Sequence, residues 1–125
     1  MKARFVCAVG ALALLSLASA DEKKTEWAGA PPKPLSGNYQ VYGGTLSEML
    51  APTAKDRKVA FMFKGPLAKD LFTQIGPDVK ESCSTDPGYR ERRRGQLVCT
   101  HDTDGYLCYF GLDVVTGKST FGSIC

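Results

Sequence analysis

The residues best suited to binding chemistry form one short cluster at positions 89–94. Four guanidinium groups lie within five residues there, and one carboxylate offsets only part of their charge. Guanidinium groups bind carboxylates and phosphates through paired hydrogen bonds. The cluster therefore predicts a basic loop that binds an acidic cleft of another protein, lipid phosphate head groups or an acidic glycan, although a solubilising loop is the simpler interpretation. The predicted partner-binding residues are Tyr89, Arg90, Arg92, Arg93 and Arg94.

Catalytic chemistry finds little support in the residue types. His101 is the only histidine, so no Ser-His-Asp set can be completed elsewhere in the chain. Asp102 and Asp104 could ligate a metal beside it, but the rest of a calcium loop is absent, and an aspartate before Gly105 is typical of a hairpin turn. We predict no catalytic residue, no metal site and no cofactor. A small hydrolase, the third alternative, would use the scattered carboxylates Glu48, Asp56, Asp70, Asp78, Glu81 and Glu91.

The cysteine count predicts two disulfides. One of the five cysteines, Cys7, lies in the apolar N-terminal run and is lost if that run is removed. An even number in an oxidising compartment is typical of disulfide pairs, and a zinc site fits poorly because the chain has no C-x-x-C motif. The four remaining cysteines are Cys83, Cys99, Cys108 and Cys125.

Two predicted hairpins compete for the same cysteine. A two-residue turn before the last predicted strand would place Cys108 opposite Cys125, whereas a four-residue loop in the preceding hairpin would place Cys99 opposite Cys108. We favour Cys83–Cys99 together with Cys108–Cys125, because this pairing immobilises both the longest loop and the end of the sequence.

The elements that must position these residues are short strands and one helix. Aromatic and β-branched runs predict the strands. The run at 59–63 is apolar on both faces, which is typical of a central strand. The fold class is α+β, a small and mainly antiparallel sheet in the order β-β-α-β-β-β. Residues 78–95 are predicted to be irregular. The predicted strands span 39–46, 59–63, 96–101, 106–115 and 119–125.

The helix is predicted at residues 67–75, between two Gly-Pro pairs. Proline suits the first turn of a helix, and glycine followed by proline stops one. The apolar side chains fall on one face, and a helix this short must dock on the sheet to be stable. These side chains are Leu67, Leu71, Phe72 and Ile75.

The N-terminus has the pattern of a secretory signal peptide. Lys2 and Arg4 precede an apolar run at 5–17, which is too short to span a bilayer, and the small residues at 18–20 suit cleavage before Asp21. We therefore expect a periplasmic or secreted protein that does not span the membrane.

Removal of residues 1–20 would leave a proline-rich arm at 21–36 and one domain at 37–125. The net charge of +3 includes Lys2 and Arg4, so the mature chain would carry 14 basic and 13 acidic residues, close to +1. This near-neutral balance and the expected export argue against a nucleic-acid partner.

The C-terminal half, residues 59–125, resembles a group of small exported bacterial proteins of unknown function. The likeness is carried by Cys83, by the runs GQLVC at 95–99 and YLCYFGLD at 106–113, and by TGKS and GSIC near the end. It implies an envelope location and a disulfide-bearing fold, and it carries no known active site.

These observations favour a non-catalytic binding protein of the bacterial envelope. The first hypothesis is a protein that docks another protein, as an inhibitor or immunity factor does, through the basic loop. The alternative is a structural or stress-related envelope protein that binds anionic lipid or glycan through the same loop.

Overall fold

The computed structural model describes residues 29–125. The predicted signal peptide and residues 21–28 of the predicted arm lie outside this part of the chain. Within it, no helix is long and apolar enough to cross a membrane.

The described part contains one antiparallel sheet and one helix, so the predicted α+β class and the single short helix are confirmed. The elements are β1 (Gly37–Tyr42), β2 (Lys58–Lys64), α1 (Gly65–Gln74), β3 (Arg90–Arg94), β4 (Leu97–Asp102), β5 (Gly105–Asp113) and β6 (Ser119–Thr120). The strands lie in the spatial order β1-β2-β5-β4-β3, and the short β6 also pairs with β5.

The apolar run that forms β2 lies inside the sheet, as its sequence predicts. It pairs with β1 on one side and with β5 on the other, along its whole length. Both faces of a central strand meet other side chains, which is why β2 does not alternate between apolar and polar residues.

Helix α1 follows β2 without a loop and packs across β5, β4 and β2. Its buried positions are Ala68 and Phe72, together with Ile75 at its C-terminal cap. The predicted apolar face is wrong at Leu67, which is 40% exposed. The buried stripe lies one residue further along because the small Ala68 allows the helix backbone to approach Cys108, whose Sγ lies 3.4 Å from the Ala68 carbonyl oxygen.

The predicted order β-β-α-β-β-β is wrong by one strand, because the structure has the order β-β-α-β-β-β-β, and two segments differ most from their prediction. The arginine cluster was expected in an irregular loop, but it forms β3, which pairs with β4 from Arg90↔His101 to Arg94↔Leu97. A strand forms here because β4 presents an unpaired edge that the cluster can join across the tight turn at Gly95. The last strand is shorter than predicted, since β6 holds only Ser119 and Thr120.

The favoured disulfide pairing is wrong: the bonds are Cys83–Cys125 and Cys99–Cys108. The β4–β5 hairpin turns tightly, so that Asp102 pairs with Gly105, and this register places Cys99 directly opposite Cys108. The turn before β6 is longer than two residues, and Gly111 pairs with Thr120. Cys125 is therefore not opposite Cys108 and instead reaches Cys83 in the long loop before β3.

Candidate functional site

The arginines of β3 divide between the two faces of the sheet. Arg90 and Arg92 share the face of Cys99 and His101, which α1 covers, while Glu91 and Arg93 lie on the opposite face. The structure therefore does not bring the predicted binding residues together as one cationic surface.

On the helix-covered face, Asp78 binds two of the arginines. Arg90 Nε and Nη2 donate to its two carboxylate oxygens at 2.8 and 3.1 Å, and Arg92 Nε donates at 2.7 Å. These hydrogen bonds, first from Arg90 and then from Arg92, lower the pKa of Asp78 to about 2. Both guanidinium groups also lie over the Phe72 ring, at 5.2 and 4.3 Å from its centroid. Arg90 and Arg92 thus hold helix α1 and the loop between α1 and β3, which contains Asp78, against the sheet.

On the opposite face, Glu91 is a buried carboxylate, only 1% exposed. It accepts hydrogen bonds from the Cys83 N–H at 2.9 Å and from the Tyr89 hydroxyl at 3.1 Å, and it pairs with Arg93. Burial alone would raise the pKa of Glu91, but these three donors outweigh it and hold the pKa below its ordinary value. Burial and the bond to Glu91 raise the pKa of Tyr89 to about 12. Tyr89 therefore acts as a half-buried hydrogen-bond donor within the protein.

Three of the four arginines are thus engaged in internal ion pairs. Among residues 29–125, Arg94 has no ion-pair partner. The outer edge of β3 is also partly covered, because the Val79 N–H donates to the Glu91 carbonyl at 2.8 Å. The cluster is a charged and partly closed edge of the sheet, not the irregular basic loop that the sequence predicts.

The other edge of the sheet, β1, has the opposite character. The Lys64 N–H donates to the Ser36 carbonyl at 2.9 Å. In an antiparallel pair, every second residue hydrogen-bonds to the neighbouring strand. Counting from Ser36, the residues of β1 that hydrogen-bond to β2 are Asn38, Gln40 and Tyr42. The N–H and C=O groups of Tyr39 and Val41 then point away from the sheet.

A reciprocal hydrogen-bond pair further along the chain shows the same alternation and marks where the open edge ends. Gly43 exchanges backbone hydrogen bonds with Leu50 on the outward side, at 2.8 and 3.1 Å. Asp56 accepts a hydrogen bond from the Gly44 N–H at 2.7 Å and pairs with Lys58, which holds the loop in place. A Cβ on Gly43 would lie 2.8 Å from the Ala51 carbonyl oxygen, so the tight approach requires glycine. Within residues 29–125, the open edge therefore runs from Gly37 to Val41.

The open edge carries no charge and no proline between Gly37 and Tyr42. Tyr39 is 70% exposed and Val41 is 38% exposed. Both share a face with Phe61 and Phe63, whose rings stack at 6.0 Å. A surface pocket of about 220 Å³ adjoins this face, and it is lined by Leu35, Gly37, Asn38, Tyr39, Phe61, Met62 and Phe63. Unpaired backbone and exposed apolar side chains therefore coincide along one strand.

His101 and the two aspartates beside it contribute to packing and to the hairpin turn. The His101 ring lies 4.2 Å from the Tyr106 ring, and both rings contact Phe72. The Asp104 N–H donates to Asp102 Oδ1 at 2.8 Å, which shapes the hairpin turn. In the described part of the chain, no group of three or more His, Cys, Asp or Glu residues could hold a metal ion.

Sequence reasoning identified β1 as a strand but did not identify its open edge. The available signal was the alternating YQVY run without a charged residue. That signal does not show whether a strand lies at an edge, because strand order depends on the whole chain.

Comparisons of the chain with protein-family models, curated proteins and solved structures found no match.

Proposed function

We propose that this protein is a non-catalytic, exported protein-binding module that pairs the open edge of β1 with an extended segment of another protein. The observation that carries the proposal is the asymmetry of the sheet: β1 is open and uncharged, while β3 is charged and partly covered. Proteins commonly block exposed edges with charges, prolines or covering loops. β3 has two of these protections, and among residues 29–125 nothing gives any of them to residues 37–41 of β1.

The geometry defines the chemistry of the partner segment. Tyr39 and Val41 present two outward N–H groups and two outward carbonyls, each worth about 1 kcal/mol net when paired. The partner must be extended and free of proline at these positions. Its side chains on the helix-covered face would meet Tyr39, Phe61 and the adjoining pocket, so apolar residues at alternate positions fit best.

Several features support a binding role. Asp56, Asp78 and Glu91 are held by cations within the fold, which leaves three of the carboxylates suggested for a hydrolase engaged in structure. Two disulfides suit an oxidising compartment, in agreement with the signal-peptide pattern of the sequence. A small, cross-linked module with one open edge suits an inhibitor or immunity factor, which acts by occupying its target.

The test separates the backbone of β1 from its side chains. Val41→Pro removes an outward N–H without breaking the ladder to β2, and proline is tolerated on edge strands. Val41→Ala removes most of the side chain but keeps that N–H, so it is the matched control. The mature protein and both variants would capture partners from envelope extract, and hydrogen exchange would follow the amides of Tyr39 and Val41 in any complex.

We expect one protein to be retained by the wild type and by Val41→Ala, with at least tenfold weaker retention by Val41→Pro and with slowed exchange at Tyr39 and Val41 in the complex. Retention that is equal in Val41→Pro would contradict the proposal. A dimer of this chain in sedimentation that Val41→Pro abolishes would also contradict it, because the edge would then bind a second copy. Binding to phosphatidylglycerol vesicles that Arg94→Gln abolishes would favour the anionic-lipid alternative.

A further inference from the structure

The two disulfides lie in opposite environments. Cys99 and Cys108 are fully buried beneath α1. Cys83 and Cys125 are both exposed. The exposed pair lines an open surface pocket of about 180 Å³ together with Arg93, Val98, Phe121, Ser123 and Ile124. A small thiol can therefore reach one disulfide without unfolding the protein, whereas the other is shielded by the core.

The exposed disulfide has a cation beside it. Arg93 Nη2 lies 3.4 Å from Cys83 Sγ and 3.9 Å from Cys125 Sγ. A neighbouring positive charge stabilises a thiolate and so makes its sulfur a better leaving group. The Arg93 side chain is 39% exposed, so it can also attract an incoming thiolate from solvent.

Glu91 is the opposing charge, since its Oε1 lies 3.7 Å from Cys83 Sγ. Three donors already share this carboxylate: the Cys83 N–H, the Tyr89 hydroxyl and Arg93. Cys83 Sγ therefore has a cation to stabilise its thiolate and a carboxylate that can accept a hydrogen bond from its thiol. The site accommodates the reduced cysteine in either form.

From this geometry we propose that Cys83–Cys125 is a thiol–disulfide exchange site that reacts with a dithiol reductant, while Cys99–Cys108 is purely structural. A thiolate of the reductant attacks Cys125 Sγ, the disulfide bond breaks, and its electron pair passes to Cys83 Sγ beside Arg93. The second thiolate of the reductant then attacks the reductant sulfur that is bonded to Cys125 Sγ, and the Cys125 thiolate leaves. The reductant becomes a disulfide, and the two cysteine sulfurs take up protons from water.

The exchange would loosen one defined segment. The disulfide ties residues 121–125 to the loop before β3, and Gly122 packs directly on the backbone of Phe110. After reduction, β6 keeps its pairing with β5, but the residues beyond it lose their covalent tether. This site lies near β3, away from the open edge of β1, so the inference does not depend on the proposed function.

The test follows each disulfide in the folded protein. Dithiothreitol is added below the unfolding transition, free thiols are alkylated at timed intervals, and peptide mass spectrometry measures each cysteine. We expect Cys83 and Cys125 to be alkylated at least about tenfold faster than Cys99 and Cys108, because exchange rates depend on access and on the leaving sulfur. Alkylation of all four cysteines at one rate would overturn the proposal, because reduction would then require global unfolding.

Two variants isolate the contribution of Arg93. Glu91→Gln removes the buried anion and keeps the shape of its side chain, and Glu91→Gln/Arg93→Gln removes both charges without leaving a buried carboxylate unpaired. We expect reduction of Cys83–Cys125 to be about three- to fivefold slower in the double variant than in Glu91→Gln, as suits a half-exposed charge. Arg94→Gln, in the neighbouring residue, should leave the rate unchanged. Equal rates in the two Glu91 variants would show that Arg93 does not assist the exchange.

Discussion

The ion pairs of Asp78 make a measurable prediction for the stability of this protein in acid. Asp78→Asn keeps the shape and hydrogen-bond acceptor of the side chain but removes the charge that binds Arg90 and Arg92. The folded-state pKa of Asp78 is about 2, below its ordinary value of 3.8. A depressed carboxyl pKa stabilises the fold above the unfolded-state value, and that stability is lost as the pH falls through the folded-state value.

The magnitude follows from these two values. The difference between 3.8 and about 2 corresponds to roughly 2.4 kcal/mol of unfolding free energy at neutral pH. The Asp78 side chain is 39% exposed, so solvent screening reduces this contribution. We therefore expect Asp78→Asn to lower the free energy of unfolding by about 1 kcal/mol at pH 6, and most of this difference to vanish at pH 2.

The assay is urea unfolding at pH 6 and at pH 2, followed by far-ultraviolet circular dichroism, for the wild type and two variants. Asp70→Asn, at an exposed carboxylate on α1, is the control for a change of net charge. A difference between wild type and Asp78→Asn of the same size at both pH values would refute the reasoning, because it could not come from the charge. An equal loss in Asp70→Asn would show that the effect is one of net charge alone.

Two further predictions concern close packing. Ala68→Leu adds bulk where the helix backbone meets the buried Cys99–Cys108 disulfide, so we expect the free energy of unfolding to fall by about 1–3 kcal/mol in urea denaturation. The control is Leu67→Ala at an exposed position of the same helix, which should change the free energy of unfolding by less than about 1 kcal/mol. An unchanged free energy of unfolding in Ala68→Leu would contradict the packing described for α1. Gly122→Ala places a Cβ 2.5 Å from the backbone nitrogen and oxygen of Phe110, so we expect the free energy of unfolding to fall by about 1–3 kcal/mol in the same assay. Hydrogen exchange near residues 119–122 should also become faster. An unchanged melting temperature would refute this contact.

The amino-acid sequence by itself determined the local elements. The two Gly-Pro pairs bound the helix because proline starts a helix and glycine followed by proline ends one, and the observed helix, Gly65–Gln74, agrees. The doubly apolar run became the inner strand β2. Asp102 to Gly105 became the hairpin turn, and four cysteines became two disulfides. Each of these depends on interactions between residues near one another in the sequence, or on residue type alone.

The tertiary structure decided how those elements meet. The cysteine pairing differs from the prediction because it depends on the exact length of two turns. The tight β4–β5 hairpin places Cys108 opposite Cys99, and the longer turn before β6 places Cys125 where it bonds to Cys83. Composition does not fix a register, and a change of one or two residues in a turn moves every opposing pair.

The candidate site in the structure also differs from the one that the sequence predicts, because it too depends on contacts between distant residues. The arginines appeared free in the sequence because Asp78 lies twelve residues before the first of them, and only the fold brings its carboxylate to Arg90 and Arg92. The open edge of β1 arose because β5 and β1 occupy the two sides of β2 while β3 closes the far end of the sheet. Residue types set which side chains could bind a partner, and strand order set which of them remain available, because backbone pairing and charge neutralisation act between residues distant in the sequence.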